Sequence, residues 1–105
     1  MSKSSITTDD VRLPPVHPGV ILAEELEAIG LSVSALSRAL DVPQSRIASI
    51  VAGKRGVTAD TALRLAAFFG TSARLWVNLQ SSYDLAVTEA ESGSHIARVV
   101  RRIAA

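Results

Sequence analysis

The residues best suited to chemistry in this chain are hydrogen-bonding and basic side chains gathered on one short stretch. Gln44, Ser45, Arg46 and Ser49 lie within a single predicted helix, and Lys54 and Arg55 follow just past its end. Gln pairs bidentately with adenine and Arg with guanine in a major groove. Cations at a helix end meet phosphate. Ser32 and Ser34 open the preceding predicted helix, where hydroxyls and backbone N–H groups hold phosphate oxygens. No comparable set suits catalysis. His17 and His95 are the only histidines, and neither has the partner ligands a metal site needs. The chain has no Cys, which excludes disulfides, thiolate zinc sites and thiol catalysis. It has no nucleophile-elbow motif and no Gly-rich phosphate loop. The expectation is therefore a binding protein and not an enzyme, with no metal, no cofactor and no small-molecule substrate.

These side chains need elements to position them. Ser32 is a good N-cap for a helix over about 33–40, with Leu36 and Leu40 on one stripe. Asp41-Val42-Pro43 is too short for anything but a tight turn. A second helix over 44–52 then keeps Ile47, Ile50 and Val51 on its inner side. Helix, short turn, helix, with the second helix basic on its outer side, is the helix-turn-helix pattern. The short turn makes the two helices cross steeply and lets the second protrude. Around this corner the spacing predicts a helix over 20–29, with His17-Pro18-Gly19 as a stop before it and Gly30 as a left-handed end. Thr58 caps a fourth helix, with Asp60 in its first turn and Gly70 as its stop. Ser72 caps a fifth, predicted to run to about residue 90 with Trp76, Leu79, Tyr83 and Ala86 on its stripe. Ser92-Gly93-Ser94 is expected to break it. Ile96, Val99, Val100 and Ile103 recur at helical spacing with Arg98, Arg101 and Arg102 opposite. Their β-branched members admit a strand there as well as a helix.

The organisation expected is a leader over 1–16, a folded domain over 17–91 and a basic amphipathic tail over 92–105. Its 105 residues suffice for one domain with one real core. Ala-rich, aromatic-poor composition favours closely packed helices over a sheet. No apolar run approaches the roughly 18–20 residues of a membrane span, and the N-terminus lacks a signal-peptide pattern. Together with the missing Cys, this fits a cytoplasmic protein with no membrane partner. The net charge is only +1, which read alone argues against a nucleic-acid binder. Divided along the chain it reads differently. Residues 9–27 carry −4, residues 38–74 carry +4, residues 75–91 carry −3 and residues 92–105 carry +3. The basic stretch begins in the second predicted helix and runs past the third, and a local face governs attraction to phosphate more than a total does.

The run IGLSVSALSRALDVPQSRIASIVAGKRGVTADTALRLAAFFGTSARLWVNLQSSYDL, from Ile29 to Leu85, resembles the HigA/VapI-type antitoxins of the Xre-like (lambda-repressor-like) helix-turn-helix class. Its most specific parts are Gly53-Lys54-Arg55-Gly56, the segment from Thr58 to Ala66, and Phe69-Gly70-Thr71-Ser72 followed by Trp76. His17-Pro18-Gly19 matches the motif at the start of the family's domain, so the resemblance covers about residues 17–87. Val20 replaces an acid common after that motif, Val33 a phosphate-binding Gln, and Ala52 an Asn. Asp41 replaces the usual turn Gly, so a left-handed Asp is expected there.

The resemblance implies an all-α fold, a five-helix lambda-repressor-like domain, and the spacing of the tail residues allows a C-terminal extra helix beyond it. It also implies a homodimer on a palindromic operator of its own operon, autorepression, and neutralisation of a RelE-like mRNA-cleaving toxin. The DNA-binding set expected is Ser32, Ser34, Gln44, Ser45, Arg46, Ser49, Lys54 and Arg55, although Arg55 could instead pair with Asp60. Trp76, Leu79 and Tyr83 are assigned to the core or a dimer interface. Ile96, Val99, Val100 and Ile103 are assigned to dimerisation, ahead of a frayed end or a contact with toxin or DNA. Two other readings stand beside this one: an Xre-like regulator without a toxin, and a protein-interaction module that has lost DNA binding.

Overall fold

The structure, a computed structural model, describes residues 15–104. Five helices follow one another: α1 Pro18–Ile29, α2 Val33–Leu40, α3 Gln44–Val51, α4 Ala59–Phe69 and α5 Ala73–Val99. Among the described residues there is no strand. The all-α fold is the one expected. The expected leader over 1–16 lies outside the described residues except for Pro15 and Val16.

Local sequence sets most helix ends. The hydroxyls of Ser32, Thr58 and Ser72 accept the N–H groups of Ala35, Thr61 and Leu75 at 3.0, 3.3 and 3.2 Å. Each satisfies a donor the first helical turn would leave orphaned. Asp41 ends α2 at φ 58°, in the left-handed conformation expected of it. One expectation fails at the first helix. His17-Pro18-Gly19 is not a stop but the cap and first turn of α1. The His17 imidazole Nδ1 accepts the Gly19 N–H at 2.8 Å, and Pro18 follows where a missing N–H costs nothing.

The core is built from Leu22 and Leu26 of α1, Leu36 and Leu40 of α2, Ile47 and Ile50 of α3, Val57 of the loop before α4, Ala62 and Leu65 of α4, and Trp76 of α5. Every helix thus contributes to one core. Leu65, not Leu63, is the inward leucine of α4; Leu63 is 64% exposed. Trp76 is 2% exposed and stacks at a tilt against Phe69, with ring centroids 6.2 Å apart. It belongs to the core of its own chain, which removes it from the dimer-interface set. Tyr83 is half-buried, edge-on to the His17 ring at 4.9 Å, and Leu79 packs against the core.

A second correction concerns the C-terminal end. The expected break at Ser92-Gly93-Ser94 does not occur, and among the described residues no separate sixth element forms. α5 is one helix of 27 residues that passes through all three and ends at Val99. One interior Gly costs about 1 kcal/mol against Ala, which a long continuous helix tolerates. A 27-residue helix is about 40 Å long, and only its first half packs on the domain. The rest projects, consistent with overall extents of 52 × 32 × 23 Å. Val100 is extended and ends the helix, and residues 101–104 follow without regular secondary structure. Ile96, Val99, Val100 and Ile103 are 46, 61, 63 and 88% exposed.

Candidate nucleic-acid interface

α2 and α3 pack on each other across the Asp41–Pro43 turn, and α3 also leans on α1. The α1 contact is unusually close. A Cβ on Gly19 would overlap the Ile50 carbonyl oxygen. Glycine is therefore needed there for approach, and the start of α1 fixes the far end of α3. Ile47 and Ile50 point inward from α3 and are fully buried.

The outer side of α3 is left to solvent. Gln44 and Ser45 are exposed in its first turn, and Arg46 and Ser49 are half-buried. Ala48, which sequence reasoning passed over, is also exposed and lies one turn beyond Gln44. Its signal was present, since i and i+4 share a helix face. A small apolar side chain on such a face suits a thymine methyl.

The flanking residues are held in specific ways. Past α3, the Ser49 carbonyl accepts the N–H groups of Lys54 and Arg55 at 2.9 and 3.2 Å. Both side chains are exposed there, one helix end away from the outward α3 face. The loop continues to Val57, whose N–H donates to Gln80 Oε1 at 2.8 Å, while Gln80 Nε2 donates to Asp84 Oδ1 at 2.9 Å. A Cβ on Gly56 would come within 3.0 Å of the Gln80 amide. Thus α5 shapes the basic loop. Gln80 was not singled out from the sequence, although a Gln four residues after Trp76 falls on the buried side of that helix.

At the start of α2, Ser32 Oγ is engaged as the cap. Ser34 Oγ accepts Arg38 Nη1 at 2.7 Å. Each hydroxyl keeps its own hydrogen for an oxygen outside the protein.

Asp60 does not take up the alternative pairing with Arg55. Its Oδ2 accepts Arg46 Nη1 at 2.9 Å and Arg64 Nε at 2.9 Å. The Arg64 guanidinium, and after it that of Arg46, hold the Asp60 carboxyl below its ordinary value. Arg64 also donates to the carbonyls of Leu40 and Asp41 at 2.8 and 3.3 Å. A cation there satisfies carbonyls that the end of α2 leaves open and suits its negative pole. Arg64 was counted in the basic stretch but not foreseen as the tie between α4 and the turn. Arg46, Arg55 and Arg64 together edge an open cleft of about 740 Å³ between α3, the loop, α4 and α5.

A two-helix corner with one helix offered outward, hydrogen-bonding groups on that helix and cations at its end define a helix-turn-helix protein. The helix-turn-helix family profile matches residues 22–76. The chain is 50% identical over 91 residues to virulence-associated protein I of Dichelobacter nodosus, covering 86% of this chain and 84% of that one. An addiction module antidote protein of the HigA family from Coxiella burnetii superposes with a TM-score of 0.84. It has 44% identity, over 87% of this chain and 100% of that one. The Pseudomonas aeruginosa antitoxin HigA, solved with the higBA promoter, gives a TM-score of 0.83 at 42% identity, with the same coverage. The chain belongs to the HigA/VapI-type antitoxins of the Xre-like helix-turn-helix class. That class groups DNA-binding antitoxins and regulators, not enzymes. Among the described residues no helix is long and apolar enough to cross a membrane.

Proposed function

We propose that this chain is an autorepressing antitoxin that lays α3 in the major groove of its own operator and neutralises a RelE-like, mRNA-cleaving toxin. The observation that carries the DNA half is the outward face of α3. Gln44, Ser45, Ala48 and Ser49 lie on it or at its edge, with Lys54 and Arg55 at one end and the hydroxyls of Ser32 and Ser34 at the start of α2. Polar α3 side chains read base edges, and the flanking groups fix register on phosphate. The promoter complex of the P. aeruginosa relative supports this reading.

Two copies act together in this proposal. Half-site centres lie about one helical turn apart, roughly 34–36 Å, or a multiple of it. The apolar residues Ile96, Val99, Val100 and Ile103 at the projecting end of α5 are the pairing surface, with Arg98, Arg101 and Arg102 beside them. The toxin half rests on family membership. It is tested by co-expressing the chain with the small open reading frame adjacent to its gene. Restored growth and co-purification are expected. A neighbour that is harmless alone, or a toxin that the chain neither binds nor silences, would leave a regulator without that partner.

A further inference from the structure

Arg46 is the arginine on α3, yet part of its guanidinium is already engaged. Its Nη1 donates to Asp60 Oδ2, and the same oxygen accepts Arg64 Nε. Arg64 reaches on to the Leu40 and Asp41 carbonyls, where α2 ends and the turn begins. A continuous set of contacts thus runs from the turn, through Arg64 and Asp60, to the side chain of α3 best suited to guanine. The three side chains are 31, 57 and 38% exposed for Arg46, Asp60 and Arg64. Ion pairs this open contribute little to folding. What they can do is fix a direction. A loose Arg surrenders rotamer freedom when it binds, and holding it beforehand removes part of that cost. Asp60 occupies the Nη1 side of the fork, which leaves the Nε–Nη2 edge for a base. A carboxylate at this place also repels phosphate, which counts against loose backbone contact by Arg46.

We propose that Asp60 is a positioning residue for operator recognition: it aims Arg46 at a base and suppresses that arginine's unspecific attraction to phosphate. The inference rests on the DNA-binding reading above. Its own ionisation is secure at neutral pH, since both guanidinium groups favour the charged carboxylate.

The test is a set of fluorescence-anisotropy titrations of the full chain at several salt concentrations. One duplex carries the region upstream of the chain's own gene, and the other is a scramble of equal composition. For Asp60→Ala, the expected ratio of affinities falls about tenfold, the scale of losing one well-aimed Arg contact. The scramble binds several-fold tighter. The salt slope steepens by about one unit as Arg46 turns to phosphate. In an Arg46→Ala background, Asp60→Ala changes the ratio no further. Asp60→Asn keeps the volume and carries the same expectation should the alanine variant fold poorly. An unchanged ratio overturns the inference while leaving the DNA-binding reading intact. So does an equal fall in the Arg46→Ala background, which assigns the effect to Arg64 and the turn. A wild-type chain that binds both duplexes alike overturns the DNA-binding reading and this inference together.

Discussion

Gly19→Ala probes the joint that orients α3. The new Cβ would overlap the Ile50 carbonyl oxygen, with the Ile50 carbonyl carbon at 2.8 Å and His17 Nδ1 at 3.0 Å. Backbone cannot swing aside as a flexible side chain can. Relief requires the start of α1 to move off the end of α3, in a core where Leu22, Ile47 and Ile50 are fully buried. Overpacking of this kind costs about 1–3 kcal/mol, and the backbone obstacle puts it at the upper end. Replacing Gly by Ala in a helix returns up to about 1 kcal/mol. The net is a loss of about 2 kcal/mol, or roughly 8–16 °C in Tm for a domain of this size. Thermal melts by circular dichroism read it, with Gly93→Ala as the contrast. Gly93 has nothing nearer than Glu89 Cβ at 3.8 Å, so that variant should lose no stability and gain helicity. Operator affinity of Gly19→Ala should fall further than its unfolded fraction explains, because α3 tilts. A Gly19→Ala protein as stable as the parent would refute the close α1–α3 contact and the reason given for a glycine there.

Other substitutions separate positioning from contact. Lys54→Ala should weaken binding to every duplex evenly and lower the salt slope by about one unit; a loss confined to the operator would make Lys54 a base reader. Gln80→Ala leaves the buried Val57 N–H without its acceptor, at about 1–3 kcal/mol. Hydrogen exchange at the Val57 amide should accelerate, and unchanged protection would contradict the tie between α5 and the basic loop. Asp41→Val places a β-branched residue at φ 58° and should cost about 1–2 kcal/mol in denaturant melts, whereas Asp41→Gly should not.

What could be read from sequence was mostly local. Ser32, Thr58 and Ser72 announce their helices because a cap acts within three residues. The left-handed Asp41 follows from the resemblance, since Asp41 stands where the family has a turn Gly and Asp tolerates that conformation. The stripes of α2 and α3 follow from periodicity, which separated Ile47 and Ile50 from Gln44 and Ser45. The errors lie where local rules compete. His17-Pro18-Gly19 looks like a stop until the imidazole is seen capping α1, and Gly93 looks like a break although its cost is small against a long helix. The rest depended on distance along the chain. Arg64 meets Leu40, Gln80 meets Val57, and Asp60 meets Arg46; spacing offers Asp60 the cation four residues on, Arg64, but not the distant Arg46. The placement of Trp76 turned on the same point: an aromatic on a stripe faces either its own core or a partner, and here the fold supplies Phe69 to cover it.

Hydroxyl-radical footprinting of the region upstream of the chain's own gene, run with the wild type and with Gln44→Ala, tests whether α3 reads an inverted repeat. Two protected half-sites on one face of the duplex, with centres roughly 34–36 Å apart or a multiple of it, are expected, and Gln44→Ala should erase both together. A single protected patch, or a footprint indifferent to Gln44→Ala, would contradict a pair of α3 helices reading a palindrome.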